Sequence, residues 1–248
     1  MCIRDRGSFM RYILWGIMSL VMLSCMQPTV EVCNTSDDAS TMQVVKTTTS
    51  LIARSRNATV RILSVGPNDG MSIGTGTAFK YKGQTIILTA AHVINGPPWI
   101  VGIESLGDST LAQVVYHDPS HDLAVIIPHT DSNLKPMPFR PTKTKGVKIG
   151  QNSLYSGYPN DEAMYTIKGY VSGVNYEGNY YIHSYAWRGA SGSSVFDEWG
   201  RLIGVLTAVG VGTDIDGGHT AIEDVVHVVP IWKLITDLLD FNLEALDE

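Results

Sequence analysis

The chain of 248 residues is long enough for one large domain or for two small barrels that share an interface. It is 44% hydrophobic and 17% charged with a net charge of -6, so a nucleic-acid-binding protein, which needs a concentrated basic face, is disfavoured. All cysteines precede residue 34, which excludes a disulfide framework and a thiolate metal site from the rest of the chain; they are Cys2, Cys25 and Cys33.

The first 25 residues are predicted to be a targeting segment. Residues 1–6 read like a translated sequencing adapter, which would make Met10 the native start, a hypothesis that resequencing of the gene would test. An apolar run of signal-peptide length then covers residues 12–23. We therefore expect an exported protein.

The apolar run is followed by Ser24-Cys25, which resembles a bacterial lipobox. This resemblance predicts that Cys25 is lipidated and tethers the protein to an envelope membrane, either in the periplasm or at the outer membrane. An ordinary signal peptide with secretion, and an uncleaved anchor, are the alternatives. Residues 26–50 are rich in Thr, Ser and Asp and are predicted to be a flexible tether, so the folded body should occupy residues 51–248.

The body reads as two runs of about six short strands separated by Gly, Pro, Asn and Asp. The first run covers about residues 55–130, and a proline-containing crossover leads to the second, at about residues 148–231. Residues 232–246 place apolar side chains at helical spacing and predict a C-terminal helix. The predicted fold is all-β, with two antiparallel six-stranded barrels followed by this α-helix.

A histidine and an aspartate occupy positions typical of nucleophilic catalysis. His92 follows the apolar strand that ends in Thr-Ala-Ala, and Asp122 begins the almost wholly apolar segment 122–128. A carboxylate at such a position needs a partner, and Asp122 can accept the Nδ1 proton of His92, which leaves Nε2 free to act as a base. A turn-capping role for Asp122 and a structural role for His92 are the simpler alternatives.

The segment Gly-Ala-Ser-Gly-Ser at residues 189–193 supplies a nucleophile, Ser191. Glycine on both sides allows the backbone N–H groups of Gly189 and Ser191 to converge into an oxyanion hole. The chain order His, Asp, Ser is the order of chymotrypsin and not that of subtilisin or the α/β-hydrolases. Ser193 and Ser194 are weaker candidates for the nucleophile.

The body resembles bacterial trypsin-like serine proteases, particularly the HtrA/Deg-type and V8-like protease domains, without a PDZ domain. The matching motifs are GTGTAF (74–79), LTAAHVI (88–94), HDLAVI (121–126), SGYP (156–159), KGYVSGV (168–174), GASGSSVFD (189–197), GRLIGVLTAV (200–209) and VVPI (228–231). The resemblance implies a serine endopeptidase with the triad His92, Asp122 and Ser191, which needs no cofactor and acts on polypeptides. It also implies that Thr207 donates a hydrogen bond to Asp122.

Two departures from the family pattern are informative. The usual Gly-Pro or Ser-Pro after the nucleophile's glycine is replaced by Ser193-Ser194. Position 190 is Ala, where trypsin has the aspartate that pairs with a newly cut N-terminus. Activation by insertion of an N-terminus is therefore not expected.

The resemblance also places the substrate pocket on either side of the nucleophile. No acidic residue occupies its floor, which argues against Lys or Arg at P1, and Leu206 stands where Glu-specific relatives carry His. A small or medium apolar P1 residue is predicted. The pocket residues are Tyr185, Ala186, Arg188, Leu206 and Gly210.

Other functions remain open at this stage. His117 and His121 are four residues apart, but Pro119 prevents a helix that would bring them to one face, so no metal site is predicted. A catalytically silent envelope-binding lipoprotein and a non-peptidase acyl hydrolase with the same triad are the rival hypotheses.

Overall fold

A computed structural model describes residues 39–245 except 67–69, 95, 98–99, 131–132, 144–145 and 214–218. The adapter-like residues 1–6, the targeting segment, Cys25 and the first part of the predicted tether lie outside the described residues. None of the helices in the described part of the chain is both long enough and apolar enough to cross a membrane.

The first barrel is a closed antiparallel sheet of six strands. Its order is β1-β4-β5-β6-β3-β2, and it closes because β1 pairs with β2 as well as with β4. The strands are β1 (Thr59–Val65), β2 (Met71–Tyr81), β3 (Gln84–Thr89), β4 (Ile100–Ser105), β5 (Asp108–Asp118) and β6 (Leu123–Pro128). A two-residue strand, β7 (Met137–Pro138), adds parallel to β2 within the crossover between the barrels.

The second barrel is also closed and antiparallel, in the order β10-β13-β12-β11-β8-β9. The strands are β8 (Asn152–Gly157), β9 (Tyr165–Val174), β10 (Tyr180–His183), β11 (Ser194–Asp197), β12 (Leu202–Thr213) and β13 (His219–Pro230). β10 pairs with both β9 and β13, which closes the sheet. The predicted pair of six-stranded barrels is confirmed.

Each barrel is filled by apolar side chains from its strands. β6 carries an almost continuous apolar sequence, and its side chains from Leu123 to Ile126 are all buried. In β1, Val60 and Ile62 point inward while the side chains of Arg61 and Leu63 are only partly buried. Burying each Leu or Ile side chain stabilises the fold by roughly 1.5–3 kcal/mol, so these interiors hold the strands that carry the site.

The predicted C-terminal helix is present as α2 (Thr236–Glu244), after a single 3-10 turn at Ile231–Lys233. Leu239 and Leu243 are buried, and the helix packs against β5. Asp240, next to Leu239 in the helix, accepts hydrogen bonds from the Tyr81 hydroxyl at 2.9 Å and the Lys82 ammonium at 2.6 Å. These contacts fix the end of the chain to the first barrel.

A second helix, α1 (Ala39–Ala58), was not predicted from the sequence. It includes residues 39–50, for which the sequence analysis predicted a flexible tether. Leu51 is fully buried, and the Ser55 hydroxyl donates to Ser156 Oγ in β8 at 2.9 Å. The helix therefore packs onto the body, and burial of Leu51 outweighs the low helix propensity of its threonine-rich sequence.

Candidate active site

The ring of His92 lies at the surface because the chain turns sharply after β3. A single 3-10 turn, Ala91–Val93, buries the small side chains on either side of His92. The His92 side chain itself is 47% exposed. The Ala-Ala sequence before His92 thus allows the strand end to pack tightly while the ring stays accessible to a substrate.

Asp122 lies immediately before β6 and accepts two hydrogen bonds from His92. The His92 Nδ1 atom lies 2.8 Å from Asp122 Oδ2 and 3.0 Å from Oδ1, and the His92 backbone N–H donates to Oδ1 at 2.9 Å. Asp122 has φ of +54°, a conformation that Asp adopts more readily than most residues. The carboxylate therefore favours the His92 tautomer with its proton on Nδ1, leaving Nε2 as a base.

Ser191 is held near His92 by β2. The Thr75 backbone N–H donates to the Ser191 carbonyl at 2.8 Å, and the Thr75 carbonyl accepts from the Thr89 hydroxyl at 2.7 Å, three residues before His92. The Ser191 hydroxyl donates a long hydrogen bond of 3.5 Å to the Thr207 carbonyl. Among the described residues no hydrogen bond joins Ser191 to His92, an arrangement common in unliganded sites, where such bonds tighten when substrate binds.

The backbone N–H groups around Ser191 divide into two kinds. Those of Ala190, Gly192 and Ser193 donate to the carbonyls of Trp187, Leu206 and Ala190 respectively. Those of Gly189 and Ser191 have no hydrogen-bond acceptor in the part of the chain that the structure describes. These two groups are the pair that the sequence predicted for an oxyanion hole.

The sequence profile of the trypsin-like peptidase domain matches residues 74–205, more than half of the chain. The chain belongs to the trypsin-like peptidase family. The family predicted from the motifs is thereby confirmed. A comparison with curated protein sequences returned no significant match.

Three solved structures share the fold of this trypsin-like peptidase. The serine endoprotease from Yersinia pestis is 22% identical with a TM-score of 0.61, and the alignment covers 77% of this chain and 66% of that one. The HtrA-type protease AlgW, solved with a tripeptide, is 22% identical with a TM-score of 0.60 and coverages of 80% and 62%. The Rv3671c protease from M. tuberculosis, in its active form, is 23% identical with a TM-score of 0.59 and coverages of 76% and 82%. The chain thus spans less than two thirds of the first two proteins.

The peptide groups that carry the two free N–H groups are fixed from their carbonyl ends. The Arg188 carbonyl accepts from the Asn160 backbone N–H at 2.5 Å, and the Ala190 carbonyl accepts from the Ser193 N–H at 3.1 Å. Asn160 and Asp161 have φ of 60° and 55°, a left-handed turn that Asn and Asp tolerate. Sequence reasoning missed Asn160, although the Pro-Asn-Asp sequence is a recognisable turn signal.

The sharp shape of the Ser191 loop requires glycine at two positions. Gly189 and Gly192 have φ of +90° and +89°. A Cβ atom on Gly189 would collide with the Tyr158 carbonyl, and one on Gly192 with the Thr75 carbonyl. The glycines predicted to flank the nucleophile are therefore needed for both conformation and space.

Ser193 and Ser194 are fully buried, and their hydroxyls have no hydrogen-bond partner among the described residues. Neither hydroxyl can meet a substrate without unfolding the loop. This burial leaves Ser191, which is partly exposed, as the accessible serine of the 189–194 segment.

The predicted pocket residues lie in different environments. Ala186 and Leu206 are buried in the apolar core of the second barrel together with Ala190, while Tyr185 is 46% exposed and Arg188 is exposed. Gly210 is buried and pairs with Ile222 of β13. Among the described residues Thr207 makes no hydrogen bond with Asp122, and its carbonyl instead accepts from Ser191.

A second histidine–aspartate pair lies close to the first in sequence. Asp118 Oδ2 is 2.7 Å from His121 Nδ1, and the Ser120 hydroxyl also donates to Asp118. Burial raises the pKa of Asp118, but the hydrogen bonds from Ser120 and His121 outweigh it and lower the pKa to about 2. Within the described ranges no group of three His, Cys, Asp or Glu side chains is arranged to hold a metal ion.

Proposed function

We propose that this trypsin-like peptidase is a serine endopeptidase in which His92, Asp122 and Ser191 form the catalytic triad. One observation carries this proposal. Of the backbone N–H groups of residues 189–193, only those of Gly189 and Ser191 have no hydrogen-bond acceptor among the described residues. Both residues are partly exposed, so these N–H groups are open to a ligand, and two neighbouring free donors beside an accessible serine suit an anion.

The reaction follows from the positions of these groups. Rotation of the Ser191 side chain away from the Thr207 carbonyl directs Oγ toward a bound substrate carbonyl. Oγ forms a bond to the carbonyl carbon while His92 Nε2 takes its proton, and the resulting oxyanion accepts hydrogen bonds from Gly189 and Ser191. The C–N bond then breaks as His92 returns the proton to the leaving amine, and water, activated by the same base, hydrolyses the acyl-enzyme.

Asp122 supports this cycle without exchanging a proton. Its carboxylate holds Nδ1–H at 2.8 Å, which stabilises the imidazolium that forms when Nε2 is protonated. Thr207, through its carbonyl, accepts a hydrogen bond from the resting Ser191 hydroxyl. We propose Thr207 as a supporting residue of the triad on this basis.

The pocket chemistry supports a preference for small or medium apolar residues at P1. Ala186 and Leu206 are buried alkyl side chains in the same core cluster as Ala190, the neighbour of Ser191, and Tyr185 is partly exposed. Leu206 provides no cation for a glutamate at P1. A peptide library that varies P1 tests this: cleavage after Ala, Val or Leu is expected, whereas a preference for Arg, Lys or Glu would contradict it.

The protease is proposed to be active without removal of an N-terminal segment. Ala190 is fully buried and offers no carboxylate to a new N-terminus. Polypeptides are the proposed substrates, and no cofactor is proposed. Export and tethering through a lipidated Cys25 are proposed from the sequence. Labelling with a lipid precursor in wild-type but not Cys25→Ser cells, followed by fractionation, tests the tether.

A fluorophosphonate probe tests the central proposal. Wild-type protein should be labelled, Ser191→Ala should not, and Ser172→Ala, which removes an exposed hydroxyl on β9, should be labelled like wild type. Folded wild-type protein that resists labelling would support the catalytically silent lipoprotein instead. Labelled protein that hydrolyses esters but not casein or library peptides would support the acyl hydrolase.

A further inference from the structure

Thr75 connects the first barrel to the Ser191 loop of the second barrel. It lies in β2, in the Gly-Thr-Gly sequence that the family resemblance includes but to which the triad assigns no task. Thr75 is fully buried, and its backbone N–H donates to the Ser191 carbonyl at 2.8 Å. A buried residue bonded directly to the nucleophile can influence the geometry of the reaction.

The Thr75 hydroxyl makes two hydrogen bonds with a fixed direction. It accepts from the Tyr158 backbone N–H at 3.1 Å and donates to the Gly189 carbonyl at 2.7 Å. Because the N–H of Tyr158 can only donate and the carbonyl of Gly189 can only accept, the hydroxyl must serve as both acceptor and donor. A side chain without a hydroxyl would leave both of these partly buried backbone groups without this partner.

These bonds bear on the oxyanion hole through the two peptide groups that flank Gly189. The peptide before it is held by the hydrogen bond from Asn160 N–H to the Arg188 carbonyl, and the peptide after it by the bond from Thr75 to the Gly189 carbonyl. Glycine at φ of +90° imposes little preference of its own. The direction of the Gly189 N–H therefore depends on these two bonds together with the bond from the Ala190 N–H to the Trp187 carbonyl.

We propose that Thr75 is a positioning residue that holds the Gly189 N–H toward the oxyanion. This inference rests on the proposed function, since it assigns a task within the same reaction. Thr75 touches no substrate atom in this scheme, and it acts through the Gly189 and Ser191 peptides. Its loss should weaken binding of the transition state and leave binding of the ground-state substrate nearly unchanged.

The test compares Thr75→Val with Thr75→Ser. Valine has the shape of threonine without a hydroxyl, and serine keeps the hydroxyl. Thr59→Val is the matched control, because Thr59 is also buried and its hydroxyl makes one hydrogen bond, to the Ser55 carbonyl at 2.8 Å, away from the loop. Should Thr75→Val fail to fold, Thr75→Cys replaces it, since a thiol is a weak donor and acceptor of the size of the serine side chain.

The measurements are kcat, KM and inhibition by a peptide boronate, whose tetrahedral adduct resembles the transition state. Removal of an oxyanion donor costs about 100- to 1,000-fold in kcat, so a misdirected donor in Thr75→Val should lower kcat by about 10- to 100-fold with KM changed less than about threefold. Boronate affinity should fall by a similar factor. Thr75→Ser and Thr59→Val should stay within about threefold of wild type.

The outcomes separate this inference from the proposed function. If wild-type protein resists fluorophosphonate and cleaves no peptide, the proposed function fails and this inference fails with it. If wild type is active but Thr75→Val loses no more kcat and boronate affinity than Thr59→Val, only the inference about Thr75 is overturned. A rise in KM with unchanged kcat in Thr75→Val would also overturn it.

Discussion

Replacing Asp122 by Asn changes only one atom of the side chain but reverses the bonding to His92. The Asp122 carboxylate accepts both the His92 backbone N–H, at 2.9 Å, and the Nδ1 proton. Asn has a single carbonyl oxygen. The His92 backbone N–H can only donate, so it takes this oxygen as its acceptor. The amide NH2 of Asn then faces Nδ1, which must become an acceptor.

The size of the effect follows from this change of tautomer. With the proton moved to Nε2, His92 can no longer accept the Ser191 proton, and the loss of the correct tautomer in a triad costs about 10⁴-fold in kcat. That factor corresponds to about 5 kcal/mol in the activation free energy. KM should change little, because Asp122 contacts no substrate.

The assay is hydrolysis of the best library peptide at pH 7, together with the rate of fluorophosphonate labelling. Asp118→Asn is the matched control, because Asp118 also binds a histidine ring nitrogen, that of His121, at 2.7 Å. It should keep wild-type kcat. An Asp122→Asn protein that is folded and retains more than about a tenth of wild-type kcat would refute the assignment of Asp122 to the triad.

Three further predictions concern the loop, the pH dependence and α1. Gly192→Ala should abolish fluorophosphonate labelling and lower the free energy of unfolding by about 3 kcal/mol or more, because the new Cβ meets the Thr75 carbonyl. Gly107 has the same φ of +89° but open space around it, so Gly107→Ala should cost only about 1 kcal/mol in urea unfolding. Equal costs for the two variants would contradict the close packing at Gly192. Asp118→Asn should lower the free energy of unfolding by about 1 kcal/mol at pH 6, since the pKa of Asp118 is about 2 in the folded state and 3.8 in the unfolded state. This loss of stability should fade as the pH drops through about 2. A loss that does not change with pH would exclude an ionic origin. Leu51→Ala should cost about 2–5 kcal/mol and Leu238→Ala, 46% exposed, less than 1 kcal/mol; a small loss for Leu51 would mean that α1 is not docked.

The barrels could be predicted, and a candidate triad could be proposed, because each depends on local patterns. Runs of alternating or continuous apolar residues predict strands, and the sequences around His92 and Ser191 are distinctive. The helix α1 could not be predicted, because its segment is rich in threonine and its contacts, such as burial of Leu51 and the hydrogen bond from Ser55 to Ser156, depend on the folded body. Tertiary packing overrides propensity in such cases.

The supporting contacts of the site were also beyond sequence reasoning. Thr75 is more than 110 residues before Gly189 in the sequence, and Asn160 is almost 30 residues before Arg188. No local sequence pattern therefore connects either residue to the Ser191 loop. The reverse holds for Thr207, whose contact with Asp122 was expected from the family, yet whose carbonyl holds the Ser191 hydroxyl in the structure. Side-chain rotation, which is settled by packing, decides such details.

The closure of the second barrel by β13 has a consequence for the synthesis of the protein. β13 (His219–Pro230) pairs with both β10 and β12, so the barrel that presents Ser191 stays open until nearly the whole chain has left the ribosome or a translocation channel. His92 and Asp122, on the first barrel, can be in place much earlier, since domains tend to fold in the order of their synthesis. A nascent chain therefore carries an ordered His92 and Asp122 long before it carries an ordered Ser191 loop, and under the proposed function the triad can assemble only near the end of synthesis.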